Sequence, residues 1–277
     1  MRKYLFYLFA FSLCVIVCLP QQTSGPEAIF FDVGQGDAFA LRTPGKQIIL
    51  VDGGPDNLLL PQLGQWLGYQ EREIDYMILS HDHADHASAL PEIAERYKVM
   101  RAILPVPTES SDSSALISAL KRSDSEIIQV NESACFDLEI NCRLCVLSPG
   151  GEFAEAKDLN ESSLALHIRC AGLSIVAAGD ATKDLEQSYL PKFSDWQADV
   201  FKASHHGANT SNDDSFLTAV NPEIMVISVG LNNSYGHPSP SVINRAKNQG
   251  VRIWRTDHQG SVKIYAKNRE LFIESWP

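Results

Sequence analysis

Short runs of apolar residues, continuous or alternating with polar ones, recur along this chain between clusters of Gly, Pro, Asn and Asp. A two-residue period marks strands and their turns. Residues 28–33, 38–42 and 47–51 read as strands joined by Gly34-Gln35-Gly36 and Pro44-Gly45 turns. Further strands are expected at 76–79, 102–104, 199–203, 224–228, 251–256, 261–265 and 270–274. Residues 135–147 read as strands around a turn, and 164–170 with 173–177 as a hairpin about Ala171-Gly172. Helical spacing occupies 58–67, 87–97, 114–122, 183–190, 213–220 and 240–249. Residues 111–114 offer caps to the third of these, and Gly250 stops the last.

Strands open each half of the chain and helices punctuate them, with no linker rich in Pro, Gly or Ser. This favours one α/β domain of two sheets with helices outside. Residues 150–160 read as a loop, and no repeat of fixed short period is visible. The first twenty residues stand apart. Arg2 and Lys3 precede sixteen residues, 4–19, in which Ser12 alone is not apolar, and Pro20 follows. A basic flank before an apolar run reads as a signal peptide or membrane anchor, with the remainder outside the cytoplasm. Sixteen residues fall short of the about 20 that a spanning helix needs. The division is 1–20 for this segment, 21–27 for a short linker and 28–277 for the domain.

A chain of 277 residues with 44% hydrophobic and 21% charged residues can bury a sizeable core, which excludes wholesale disorder. The net charge of −11 becomes −13 without residues 1–20, which hold two bases and no acid. Such an acidic body excludes a protein that coats nucleic acid through bulk charge, but not a local phosphate site. Residues 245–270 run the other way, with seven bases against Asp257 and Glu270. A solvated face explains that run, and a phosphate-binding surface is the alternative. Four cysteines lie beyond the N-terminal segment: Cys135, Cys142, Cys145 and Cys170. Three disulfide pairings are open to them. Strand alternation would point Cys142 and Cys145 to opposite faces, so buried structural cysteines are favoured over a metal site.

The chemistry concentrates in His81-Asp82-His83-Ala84-Asp85-His86, which holds three of the eight histidines directly after an apolar strand. In extended chain His81 and His83 point the same way and can hold one cation, with Asp85 and His86 beside a second. Imidazole and carboxylate together suit zinc or a neighbouring divalent metal. Gly179-Asp180 and Ser204-His205-His206-Gly207 each end another apolar strand. Asp180 could instead cap the helix that follows. Three strand ends bearing an acid or histidine, where α/β sites gather, favour a dinuclear centre.

These motifs occur with Phe31-Asp32-Val33-Gly34-Gln35-Gly36-Asp37-Ala38, Val51-Asp52-Gly53-Gly54, Asn160-Glu161-Ser162-Ser163-Leu164, Tyr235-Gly236-His237-Pro238 and Asp257-His258-Gln259-Gly260-Ser261. Together they resemble the metallo-β-lactamase fold of metallohydrolases. The finer likeness is to the extracytoplasmic domain of the DNA-uptake competence protein ComEC, over residues 29–264. The resemblance implies an αββα sandwich with two divalent ions, zinc or manganese, along one edge of its sheets. It implies His81 and His83 on the first ion and Asp85 and His86 on the second. Asp180 would bridge, and His205 would complete the second site, with His206 less favoured. Asp32, Asp37 and Asp52 would orient metal-bound histidines, or else serve strand-end turns. Most enzymes of the fold add a third histidine to the first metal from mid-chain. Here that region reads Asp158-Leu159-Asn160, leaving Asn160 or water for the role, while His167 sits inside a strand as a structural residue.

The activity implied is that of an extracytoplasmic metallohydrolase, a nuclease or phosphodiesterase. Asp85 and His237 are the candidate catalytic residues, His237 for contacting the phosphate or protonating the leaving oxygen. Lys202 would add positive charge unless alternation turns it outward. DNA and a DNA-uptake machine are the expected partners, with a membrane if residues 1–20 remain attached. Another surface phosphodiester, such as a phosphorylcholine ester, is an alternative substrate. A non-catalytic metal-binding module is an alternative class.

Overall fold

Apolar runs that find partners on both faces become the central strands. β1 (Glu27–Phe30), β2 (Phe39–Arg42), β3 (Ile48–Val51), β4 (Glu73–Ile78), β5 (Lys98–Leu104) and β6 (Glu126–Gln129) belong to one sheet, with β14 (Ser261–Lys267) and β15 (Glu270–Trp276). In this eight-stranded sheet the order is β15-β14-β1-β2-β3-β4-β5-β6. It is antiparallel from β15 to β3 and parallel from β3 to β6. The second sheet comprises β7 (Ala134–Glu139), β8 (Cys142–Leu147), β9 (Ala165–Cys170), β10 (Leu173–Ala177), β11 (Val200–Lys202), β12 (Ile224–Ile227) and β13 (Arg252–Arg255). Its seven strands run β13-β12-β11-β10-β9-β8-β7, parallel from β13 to β10 and antiparallel beyond. The computed structural model describes residues 25–151, 153, 158–268 and 270–277. The segment 1–20, most of 21–27 and part of the 150–160 loop lie outside the described residues.

Three apolar layers hold the sheets and helices together. Within β3, Ile49 and Val51 face the layer between the sheets, with Phe30, Leu144 and Ile168. Ile48 and Leu50 face outward, toward α1 (Leu59–Leu67), α3 (Leu90–Arg96) and α4 (Ser111–Arg122). A third layer packs α5 (Lys183–Tyr189), α6 (Asp214–Val220) and α7 (Pro240–Asn248) on the outer face of the second sheet. A fully buried side chain such as Phe30 or Phe201 contributes about 1.5–3 kcal/mol. The result is the αββα sandwich that the sequence implies. Among the described residues no helix is long and apolar enough to cross a membrane.

Three details differ from the sequence reading. The helix expected over 87–97 is two: α2 (Ala84–Ala87), then α3, which begins at Leu90 with a proline in its first turn. Proline lacks an N–H and favours a helix start. The cap of α4 is Ser110, one residue before the expected group, and its Oγ accepts from Ser113 N at 3.0 Å. Strand β6 was not expected, because its Ile127 and Ile128 form too short an apolar run between Glu126 and Gln129. The cysteines form two bridges, Cys135–Cys145 and Cys142–Cys170. Each joins directly opposed residues of antiparallel neighbours. As alternation requires, Cys142 lies in the layer between the sheets and Cys145 in the outer one.

Candidate metal centre

The strands β4, β10, β11 and β12 end along one edge of the sandwich, and each hands a polar residue to the same place. Hydrogen bonds fix these ends, one between the sheets, Leu164 N to Ser80 O at 2.9 Å, and one within the second sheet, His205 N to Gly179 O at 3.1 Å. Asp180 N donates to Ser163 Oγ at 3.1 Å. The loop after β1 closes over the centre, with Asp37 N donating to Asp85 O at 3.1 Å. A Cβ on Gly36 would lie 2.5 Å from that same carbonyl, so only glycine lets the backbone approach so closely.

Four buried or half-buried groups converge there. Ligand atoms of Asp85, His86, Asp180 and His206 all lie within 4.8 Å of one another. His86 Nε2 is 3.2 Å from Asp180 Oδ1, and His206 Nε2 is 3.2 Å from Asp85 Oδ2 and 3.7 Å from Asp180 Oδ2. His81 and His83 face each other beside this group, with Nε2 to Nδ1 at 3.2 Å. His81 Nε2 is 4.0 Å from Asp180 Oδ2. Asp180 thus stands between both sets. His205 also reaches it, Nε2 to Oδ2 at 3.6 Å, from a more exposed position than the buried His206. Both histidines have left-handed backbone (φ 50° and 53°), a sharp turn that throws two adjacent imidazoles toward one carboxylate.

Neighbouring groups orient these ligands. Asp52 accepts from Ser80 N at 2.7 Å and Ser80 Oγ at 2.8 Å, and its Oδ2 lies 2.9 Å from His86 Nδ1. His206 Nδ1 is 3.1 Å from Ser228 O and 3.4 Å from Asp37 Oδ1. Lys202 is buried, not turned outward, and its Nζ donates to Asp37 Oδ2. Burial alone pushes Lys202 down to about 7; the Asp37 carboxylate in contact with it favours the charged form. Burial opposes the ionisation of Asp180, but His86 and His206 outweigh it and hold the carboxyl well below its usual range. Burial likewise opposes protonation of His86, and Asp180 and Asp52 lift it well above the usual imidazole value. His81 is pushed the other way, first by burial and then by His86. Asp85 stays well below the carboxylate range because the hydrogen bond to His206 and the nearby His86 overcome its desolvation.

This donor set fits a divalent cation. Asp180 Oδ1 and Asp37 Oδ1 are buried with no regular hydrogen bond and face imidazole nitrogens, His86 Nε2 at 3.2 Å and His206 Nδ1 at 3.4 Å, so carboxylate charge is packed here that a positive charge must offset. Ligands 2.0–2.2 Å from one zinc ion stand roughly 3–4 Å apart, close to the spacings here. In a second grouping, Asp37, Asp52 and His86, one oxygen of each carboxylate already accepts from Lys202 or Ser80. The grouping of Glu139 with Cys142 and Cys170 has its sulfurs in a disulfide.

Other sequence candidates fall at different distances. His237 stands on the open side, its ring 5.7 Å from that of His205 and 6.4 Å from that of His206. Burial and the two histidines lower its pKa. Asn160 lies in the 3-10 turn that leads to Ser163, and its Oδ1 is buried without a partner. Asp32 touches none of the histidines among its hydrogen-bond partners: its Oδ1 accepts from Gly34 N at 3.2 Å, closing the turn. His167 packs against Phe193 and Trp196 inside the second sheet's outer layer. Among the described bases of 245–270, Arg245, Arg252, Arg255 and Lys263 stand in ion pairs, including Arg252 with Glu223 and Arg255 with Asp257. Sequence reasoning missed Glu186. It is fully buried and accepts from Ser204 Oγ at 2.6 Å, Asn212 N at 3.0 Å and Asp213 N at 2.6 Å. These bonds clamp the loop carrying His205 and His206, and nothing in the spacing of Glu186 signals it.

The metallo-β-lactamase superfamily model matches residues 31–230. ComE operon protein 3 of Bacillus subtilis (strain 168) is 29% identical over 298 residues, 96% of this chain and 36% of that protein. Recombination protein 2 of Haemophilus influenzae is 26% identical, covering 91% of this chain and 30% of its own length. The chain therefore spans about a third of these curated relatives. Among solved structures, the metallo-β-lactamase fold protein YhfI from Bacillus subtilis superposes with TM-score 0.54 at 14% identity, over 89% of this chain and 99% of that one. Zn(2+)-bound PqqB from Methylobacterium extorquens gives TM-score 0.54 at 10% identity, over 83% and 97%.

Proposed function

Because this chain belongs to the metallo-β-lactamase superfamily, we propose that it is an exported, two-metal phosphodiesterase whose substrate is DNA. The observation that carries this reading is the convergence of Asp85, His86, Asp180 and His206 around buried carboxylate oxygens that lack a regular hydrogen bond. The motifs shared with the competence family, together with the likeness to ComE operon protein 3 across 96% of the chain and to a competence protein and a recombination protein, support the nucleic-acid substrate and a DNA-uptake setting. Zinc is the ion favoured by the imidazole-rich donor set, with manganese second.

In this reading His81 and His83 would hold one ion and Asp85, His86 and His206 the other, with Asp180 within reach of both sets. His206 replaces His205 because its Nδ1 is occupied by Ser228 O, which leaves Nε2 free to ligate. Two divalent ions held there would supply a water of lowered pKa and positive charge for a phosphodiester. The chain's own residues do the rest. Asp52 keeps the proton of His86 on Nδ1, so that Nε2 faces inward. Asp37 and Lys202 hold the far side of His206. Asn160 lies in the mid-chain turn where most of the fold supplies a histidine. His237, kept neutral by burial, donates a hydrogen bond to a phosphate oxygen or the leaving oxygen at the open side.

The test is to purify the protein, measure bound metal, and assay single-stranded DNA, duplex DNA and bis(p-nitrophenyl) phosphate with and without chelator. Metal-dependent cleavage of DNA is expected. Absence of both metal and hydrolysis under zinc or manganese would sink the enzyme reading. Cleavage of small diesters without DNA would move the substrate to another surface phosphodiester.

A further inference from the structure

We infer that Tyr235 is a stacking platform for the nucleobase next to the scissile phosphate, which restricts the substrate to unpaired strands. This rests on the phosphodiesterase reading above and deepens it. Tyr235 is 69% exposed, and what sets it apart from the still more exposed Tyr69 is its place beside His237 at the metal centre. One face lies near parallel to His237, with centroids 5.9 Å apart and planes at 27°. His237 in turn lies 5.7 Å from His205. The tyrosine ring therefore continues a row of rings that begins at the metal centre, and most of its surface is exposed.

The loop that presents it is fixed. Asn233 Oδ1 accepts from Tyr235 N at 3.2 Å and His237 N at 3.1 Å, while its Nδ2 donates to His237 O at 2.7 Å. At the loop's base, a Cβ on Gly207 would lie 2.7 Å from Pro238 Cβ, so the absence of a side chain lets the loop seat against the histidine turn. An aromatic held in this way loses little entropy when a ligand stacks on it.

The adjoining surface suits bases and not a phosphate backbone. Leu231 is 70% exposed and Leu58 49%. Both line a cleft of about 570 Å³ that also includes Gln35, Asn233 and the carboxylates of Asp32 and Asp257 and no lysine or arginine, so it repels phosphates and leaves room only for the neutral base. Lys202 is occupied by Asp37 and Arg255 by Asp257. Affinity for a strand must then come from the metal centre and from stacking, with little counterion release. A base inside a duplex has both faces covered by its neighbours, so this platform accepts only an unstacked one.

The experiment uses the full-length, metal-loaded enzyme on two single-stranded probes of equal length, oligothymidylate and the corresponding abasic tetrahydrofuran oligomer. Tyr235→Ala should lower kcat/KM on oligothymidylate by roughly 5- to 150-fold, the range for loss of one base–aromatic stack. The abasic probe should be cleaved at an unchanged rate, Tyr235→Phe should restore the loss, and an unchanged melting temperature would establish that Tyr235→Ala folds. Equal losses on both probes, or no loss on either, would overturn the platform. A wild-type enzyme that holds metal but cleaves neither probe overturns the underlying DNA reading, and the platform with it.

Discussion

Asp52 Oδ2 lies 2.9 Å from His86 Nδ1, and this contact decides which nitrogen of His86 faces Asp180. With the proton on Nδ1 shared with Asp52, Nε2, 3.2 Å from Asp180 Oδ1, is the nitrogen that would give up its proton to ligate an ion. Asp52→Asn reverses the arrangement. The backbone of Asp52 is left-handed (φ 58°), which asparagine tolerates, and Oδ1 can still accept from Ser80 N. The amide would donate to Nδ1 and drive the proton to Nε2, against the ion. Metal affinity should fall about 10- to 100-fold, read as zinc transfer to a competing chelator. Unchanged affinity would mean that Asp52 only closes a turn.

The paired histidines separate by the same logic. His206 is buried with Nδ1 held by Ser228 O, whereas His205 is partly exposed and its Nδ1 has no partner. His206→Ala should therefore lose one of two bound ions, measured by elemental analysis of the dialysed protein. His205→Ala should retain both ions. The opposite result would return the ligand role to His205.

The strand-end chemistry was legible because it needs only two facts, an apolar run and a metal-binding residue directly after it. His81, His83, Asp180 and the 205–206 pair were all reachable in that way. The register of the second sheet was not, so three disulfide pairings stayed open until β8 was seen between β7 and β9. Lys202 was ambiguous for a related reason: alternation gives a face, not a partner, and Asp37 lies 165 residues away in sequence. The choice between His205 and His206 depends on backbone angles that no spacing encodes. Glu186 was invisible, since a single acid on an amphipathic helix ordinarily faces water.

Glu186 should leave a signature in the pH dependence of stability. Burial raises its pKa from 4.5 to about 7, despite hydrogen bonds from Asp213 N, Ser204 Oγ and Asn212 N. Between those values the folded state binds more protons than the unfolded one, so this group's contribution falls as pH rises through the window and levels off above it. The full change is up to about 3 kcal/mol. His167 has the opposite sign, since burial lowers its pKa to about 4 and its contribution is lost as pH falls below 6.5. The two partly cancel in the wild type, so the informative quantity is the difference between wild type and Glu186→Gln in denaturant titrations from pH 4.5 to 8. That difference should slope through the window and be flat above it. A flat difference throughout would show that Glu186 stays ionised.

Asp82 and Asp85 belong to one six-residue motif, and the structure gives them opposite work. Asp82 is buried and turned away from the histidines. It accepts from Glu109 N at 2.7 Å, Ser110 N at 2.8 Å and Ser113 Oγ at 2.9 Å, and also from Ser110 Oγ. Through these bonds it ties the motif to the start of α4. Asp85 is one-third exposed and points at His206. Asp82→Ala leaves several donors without a partner and should cost about 2–4 kcal/mol. In a domain of this size that lowers Tm by roughly 5–15 °C, while the folded variant keeps its ions. Asp85→Ala should change the Tm of the metal-free protein by only a few degrees and yet lose an ion and the hydrolysis that depends on it. Calorimetry of chelator-treated samples, paired with metal analysis of untreated ones, separates the two effects. If Asp82→Ala lost metal at unchanged Tm, the carboxylate would be acting on the ion and not on the scaffold.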